Sequence, residues 1–130
     1  QNHAVRPNWY WWPTFLPKPA IDTTDQLCGF FPIIRLASEL LDRLRAAYNA
    51  GWSGHAEAVI PTLARYHGLT LEDIGGDGPY VKEENIDRFY TNTPHSERLS
   101  PGTFVYRPAR PQPGSTPKKL YHPVKPAASD

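Results

Sequence analysis

Fifteen prolines in 130 residues constrain this chain more than any other feature, because they are so unevenly placed. Pro7, Pro13, Pro17, Pro19 and Pro32 lie early; Pro94, Pro101, Pro108, Pro111, Pro113, Pro117, Pro123 and Pro126 lie late; Pro61 and Pro79 alone fall between. Proline fixes φ and lacks the backbone donor that helix interiors and central strands need. The ends are therefore expected to be extended or turning, and regular structure is expected between them. The division that follows is a proline- and aromatic-rich N-terminal arm over 1–32, a small helical centre over 33–90 and a basic proline-rich C-terminal arm over 91–130. The fold class is mainly α, with two or three helices at the centre and at most one or two short strands.

Within the centre, Ile33, Leu36, Ala37, Leu40, Leu41, Leu44 and Ala47 recur at the spacing of one helical face, which predicts a helix over Ile33–Asn49 stopped by Asn49 and Gly51. A second helix is predicted from Ser53 or Gly54 to His67, with Ala56, Val59, Ile60, Leu63, Ala64 and His67 on one side and Gly68 as its stop. Pro61 either kinks it or marks its start. A short turn over Thr70–Ile74 and a third helix over Lys82–Tyr90 complete the reading. Thr103–Arg107 alternates Phe104 and Tyr106 against Val105, which suits one short strand or an extended docking segment. A lone strand needs a partner, and another chain is the expected one.

Size and charge sharpen this picture. A core confined to 33–90 belongs to the class that buries only about 60% of its unfolded surface and is marginal alone. The last forty residues, if extended at about 3.1 Å each, reach on the order of 120 Å, far beyond so small a centre. Disordered tails are poor in aromatics, whereas these arms hold Trp9, Tyr10, Trp11, Trp12, Phe15, Phe104, Tyr106 and Tyr121, so they are expected to lie on a surface. Residues 1–54 carry five basic and four acidic side chains, 55–90 three and seven, and 91–130 six and two. The basic tail suits an acidic partner or the chain's own acidic centre.

Several function classes drop out. The net charge of +1 lacks the basic excess of a dedicated nucleic-acid binder, and no apolar run approaches the ~20 residues of a membrane-spanning helix. Cys28, the one cysteine, forms no internal disulfide. The stretch from Leu63 to Ile74 looks like a helix-turn-helix turn, but its recognition helix would carry Glu72 and Asp73 towards phosphates. Asp73–Glu84 has part of an EF-hand calcium loop, with Asp73, Asp77, Gly78 and Glu84 in ligand or turn positions; Gly75 and Val81 break the pattern. The five histidines show no zinc spacing. His55 and Glu57, two apart, would point away from one another on a helix. Cys28 or a histidine lacks the supporting motif of a nucleophilic enzyme, so neither catalysis nor a cofactor is expected.

The expected function is that of a non-catalytic accessory subunit, bound to other protein subunits of a hetero-oligomeric complex. Its partner-binding residues are expected to be Trp9, Tyr10, Trp11, Trp12, Phe15, Phe104, Tyr106, Arg107, Arg110 and Tyr121, since aromatic and arginine side chains anchor interfaces. The aromatic run could also pack on the chain's own helices or sit at a membrane interface. Arg107-Pro108-Ala109-Arg110-Pro111-Gln112-Pro113 resembles a ligand for grooves that read polyproline II with a nearby arginine. The start at Gln1 suggests a cleaved precursor and an organelle, with a mitochondrial respiratory or other energy-converting membrane complex as host. The alternatives are a small independent binding module, using calcium or the proline-rich ligand, and a virion or shell protein.

Overall fold

Two amphipathic segments form α-helices, α1 over Ser38–Asn49 and α2 over Ala56–Tyr66. They are seen in a computed structural model that describes residues 3–31, 33–76, 78–86, 105–106, 111–115, 117, 120–121 and 124–125, with 105, 106 and 120 described by their backbone. Among these residues the protein is mainly helical. Two compact units are present, Gln1–Leu71 and Glu72–Asp130.

In the first unit α1 begins five residues later than its periodicity predicts. Ala37 is its N-cap, in extended conformation, and Ile33 and Ile34 are exposed before it. The fully buried positions Leu40, Leu44 and Ala47 all fall within the helix, while the β-branched pair ahead has weaker helix propensity. Both helices end as predicted, and by the same device. Gly51 (φ +92°) and Gly68 (φ +67°) take the left-handed conformation. Trp52 N–H then donates to Ala47 O and Gly51 N–H to Tyr48 O, while Leu69 N–H donates to Ala64 O and Gly68 N–H to Arg65 O. These paired bonds are Schellman closures, and they turn Trp52 and Leu69 back onto the core.

Pro61 lies inside α2. It has no N–H for the carbonyl of Glu57, four residues earlier, and the N-terminal segment supplies the missing donor. Gly29 N–H bonds Glu57 O at 2.8 Å, and Phe31 N–H bonds the Glu57 side chain (Oε1) at 3.1 Å. One residue beyond the proline, Thr62 Oγ1 accepts from Leu27 N–H at 2.9 Å and donates to Leu27 O at 3.1 Å. Thr62 is 1% exposed and Leu27 3%, so this backbone has no access to solvent. The proline that threatened the helix thus marks where residues 27–31 dock on it.

A second junction joins the N-terminal segment to the turn between the helices. Leu16 and Ser53 form an antiparallel bridge, bonded both ways at 2.9 and 3.2 Å. Gly54 (φ +138°) has no room for a side chain: a Cβ there would stand 2.9 Å from the Cα of Phe15. The Trp52 indole donates to Lys18 O. Residues 3–31 are therefore laid on their own helices, and Trp12, Phe15 and Cys28 share a core with Leu40, Leu44, Trp52, Val59 and Leu63.

In the second unit Asp73 N–H bonds Tyr80 O at 2.8 Å and Asp73 bridges Val81. Lys82 pairs with Glu72 at 3.0 Å, and the carboxylate raises the lysine's pKa. Where a third helix over Lys82–Tyr90 is predicted there is a single 3-10 turn, Glu83–Asn85; Ile86 leaves helical space at ψ 123°, and 87–90 lie outside the described residues. Of the strand expected over Thr103–Arg107, 103, 104 and 107 lie outside the described residues, and Val105–Tyr106 form β1, paired in parallel with β2, Leu120–Tyr121. Its hydrogen-bonding partner is thus the same chain, which corrects the expectation of a neighbour's strand.

Candidate interaction surface

The aromatic run Trp9–Leu16 is sorted by a period of three. Arg6 N–H donates to His3 O, Trp9 to Arg6, Trp12 to Trp9 and Phe15 to Trp12, at 3.0–3.3 Å. These are successive i to i−3 turns, capped by the 3-10 turn Trp12–Thr14 with Pro13 in its opening positions. Three residues per turn align side chains at i and i+3. Trp9, Trp12 and Phe15 consequently face the helices, half-buried, 8% and 6% exposed in turn, whereas Tyr10 and Trp11 face out at 78% and 37%. The Trp12 indole donates to Arg6 O at 2.8 Å, so its burial leaves no donor unmet.

The outward rings rest on His55. This residue is the N-cap of α2, with extended ψ (138°), and its Nδ1 accepts from Glu57 N–H at 3.3 Å. Trp11 stacks on the imidazole with centroids 4.5 Å apart and planes 12° apart; Trp9 meets it edge-on at 6.0 Å. Tyr10 stands edge-to-face with Trp11 at 4.7 Å. Below the imidazole, Glu57 Oε2 lies 3.8 Å from Nδ1. His55 and Glu57 therefore converge instead of diverging, because His55 precedes the helix. Histidine is a rare N-cap, and Gly54 before it was the one signal that the helix begins there. The result is a ledge of stacked rings, rigid and open on one side, with one carboxylate at its base.

Other expected site residues separate from this ledge. Phe104, Arg107 and Arg110 lie outside the described residues, and Tyr106 is described by its backbone alone. Tyr121 is half-buried, and its ring fills the space where a Cβ on Gly114 would sit, 2.5 Å from Cε1. Pro111, Gln112 and Pro113 are exposed and outside any helix or strand.

Cys28 is 6% exposed, and burial pushes its thiol pKa above the ordinary value. It is therefore protonated at neutral pH, whereas a reactive cysteine needs the thiolate. Of the calcium candidates, Asp73 and Glu84 are exposed and Asp77 lies outside the described residues; no described group of three His, Cys, Asp or Glu side chains is arranged to hold a metal. A cleft of about 370 Å³ opens beside Ala20, Asp22, Tyr66 and the Asp25–Arg65 ion pair (2.8 Å). No helix among the described residues is long and apolar enough to cross a membrane. No protein family, no curated protein and no solved structure matches the chain.

Proposed function

We propose that this protein is a non-catalytic accessory subunit that binds other protein subunits of a larger assembly, with the Tyr10–Trp11–His55 ledge as its docking surface. The observation that carries this reading is the exposure of large apolar side chains on so small a unit: Tyr10, Trp11, Ile33, Leu41, Tyr48 and Tyr66 are each more than a third exposed. Scattered apolar residues need no explanation, but rigid aromatic rings held by stacking are what interfaces use as anchors, at low entropic cost. On α1, Leu41 and Tyr48 are seven residues apart and lie on one stripe beside the buried one. A host at a membrane surface, such as an organellar energy-converting complex, suits Tyr10 and Trp11, whose amphipathic rings fit the headgroup level.

The test is gentle purification of the native particle from its source, followed by size-exclusion chromatography and mass spectrometry. A stoichiometric complex containing other proteins is expected. A folded particle of 14.7 kDa in the source extract would refute the reading.

A further inference from the structure

We infer that the cleft between the Asp22–Asp25 turn and α2 binds a primary ammonium group carried on a short alkyl chain. The site shares no residue with the ring ledge, so it stands apart from the docking role proposed above. Its walls are fixed by the fold itself. Thr62, Arg65 and Tyr66 lie three and four residues apart on one face of α2. Ala20, Ile21, Asp22 and Asp25 line the other side. The turn that carries the two aspartates is closed by Asp25 N–H on Asp22 O at 2.9 Å and by the Gln26 side chain, which donates to Ile21 O at 2.9 Å. The Leu27–Thr62 bonds and the Asp25–Arg65 pair tie this turn to the helix. The cleft volume, about 370 Å³, lies at the lower end of the range of small-molecule sites.

Charge selects a cation. Arg65 directs Nε and Nη2 at one oxygen, Asp25 Oδ1, at 3.0 and 2.8 Å, which leaves that pair neutral. Asp22 has different partners. Its Oδ1 accepts the Thr24 N–H at 2.8 Å and the Thr24 hydroxyl at 2.7 Å, and none of the ion pairs among the described residues includes it. Those two bonds, the hydroxyl's first, hold its carboxyl below the usual carboxylate range, so it is ionised at neutral pH. The lining thus carries two carboxylates against one guanidinium, and an anion would meet an arginine already paired. The Thr62 hydroxyl donates to Leu27 O, so it too is engaged. Tyr66 contributes a ring that is 50% exposed and steadied by edge contacts with Trp52 and His67, at 6.1 and 5.1 Å. A carboxylate beside an aromatic ring suits an alkylammonium: the carboxylate accepts its N–H bonds, and the ring attracts its charge and packs on its methylenes.

The test follows the amide and tyrosine-ring NMR resonances of the full chain at neutral pH during titration with n-butylammonium, with butyrate and with Nα-acetyl-lysine N-methylamide. Saturable shifts centred on Asp22, Asp25 and Tyr66 are expected with n-butylammonium, at a dissociation constant on the order of 1–10 mM, the range open to so small a ligand. Asp22→Asn keeps the Oδ1 acceptor for Thr24, and so the turn, but removes the charge; it is expected to weaken binding about fivefold. Tyr66→Leu keeps an apolar wall and loses the ring face, for an expected loss of about threefold. Amide spectra of both variants, unchanged beyond the neighbours of the replaced residue, check that the fold is intact. Binding of the capped lysine as tightly as the free amine supports the inference with a partner's lysine side chain as a source of the group; binding of n-butylammonium alone supports it with a free amine. The inference is overturned if no shift saturates below about 100 mM, if butyrate moves the same resonances as strongly, or if Asp22→Asn binds like the parent.

Discussion

Thr62 is the most informative position at which to test how the N-terminal segment is held. Its hydroxyl both accepts from and donates to the backbone of Leu27, and both residues are buried. Thr62→Val preserves shape and removes both bonds, leaving an N–H and a C=O with no solvent to replace the lost partner. Each unsatisfied buried group costs about 1–3 kcal/mol, so the loss of both bonds is expected to destabilise the first unit by roughly 2–6 kcal/mol. Thr62→Ser keeps the hydroxyl and loses one methyl, a cost of about 1 kcal/mol. Urea denaturation followed by tryptophan fluorescence measures both, since Trp12 and Trp52 are in the core with Thr62's helix. Native-state amide exchange adds the location: Leu27, Gly29 and Phe31, all bonded to Glu57 or Thr62, are expected to lose protection before the interior of α1 does. If the valine variant costs no more than the serine variant, the docking bonds do not hold this segment and the reasoning fails.

Trp12→Ala is expected to cost about 3–5 kcal/mol, as for other large core truncations, whereas the exposed Tyr10→Ser stays within about 0.5 kcal/mol; thermal melts of the two separate the inward from the outward face of the aromatic run. Gly68→Ala is expected to cost about 1–2 kcal/mol for a left-handed alanine, and Gly54→Ala more, because its Cβ also collides with the backbone of Phe15; chemical denaturation ranks them. Cys28 is expected to react slowly with a thiol reagent at pH 8 in the native protein and fast in urea. Its folded pKa is raised above an ordinary value near 9.0, so above that pH the unfolded chain releases a proton that the folded chain retains, and stability falls as pH rises further; Cys28→Ala removes that dependence.

The helices were legible because their signals are local. Leu40, Leu44 and Ala47 mark one face, and Gly51 and Gly68 stand where left-handed residues close each last turn. The start of α1 was misjudged because Ile33 continues the period while exposed, and Leu36 packs on the core from a position ahead of the helix. The fate of the first thirty residues was not legible in the same way. Proline density predicts an absence of regular structure, and that expectation does not distinguish an arm spread on a neighbour from one folded on its own chain. The decisive partners are far apart in sequence, as Thr62 and Leu27 are, and single-chain periodicity carries no record of them. Of the candidate anchors, Trp12 and Phe15 turned inward. The sign of this was present in the spacing of Trp9, Trp12 and Phe15 with Pro13 among them, a period of three instead of a helical or strand period.

That period also divides one short segment between two faces. Two helices of twelve and eleven residues are too short to enclose a core alone, and the period-three turns deliver Trp9, Trp12 and Phe15 to close it. The same turns leave Tyr10 and Trp11 on the opposite side, so the rings that close the core and the exposed rings are distinct sets fixed by one backbone register. His55 couples them: its backbone N–H donates to Thr14 Oγ1, its ring supports Trp11, and its Nδ1 caps α2. A docking partner that pulled on Trp11 would load the helix cap directly. In the proposed docking role, the stack of Trp11 on a capped His55 lowers the ordering cost that a free aromatic arm would carry.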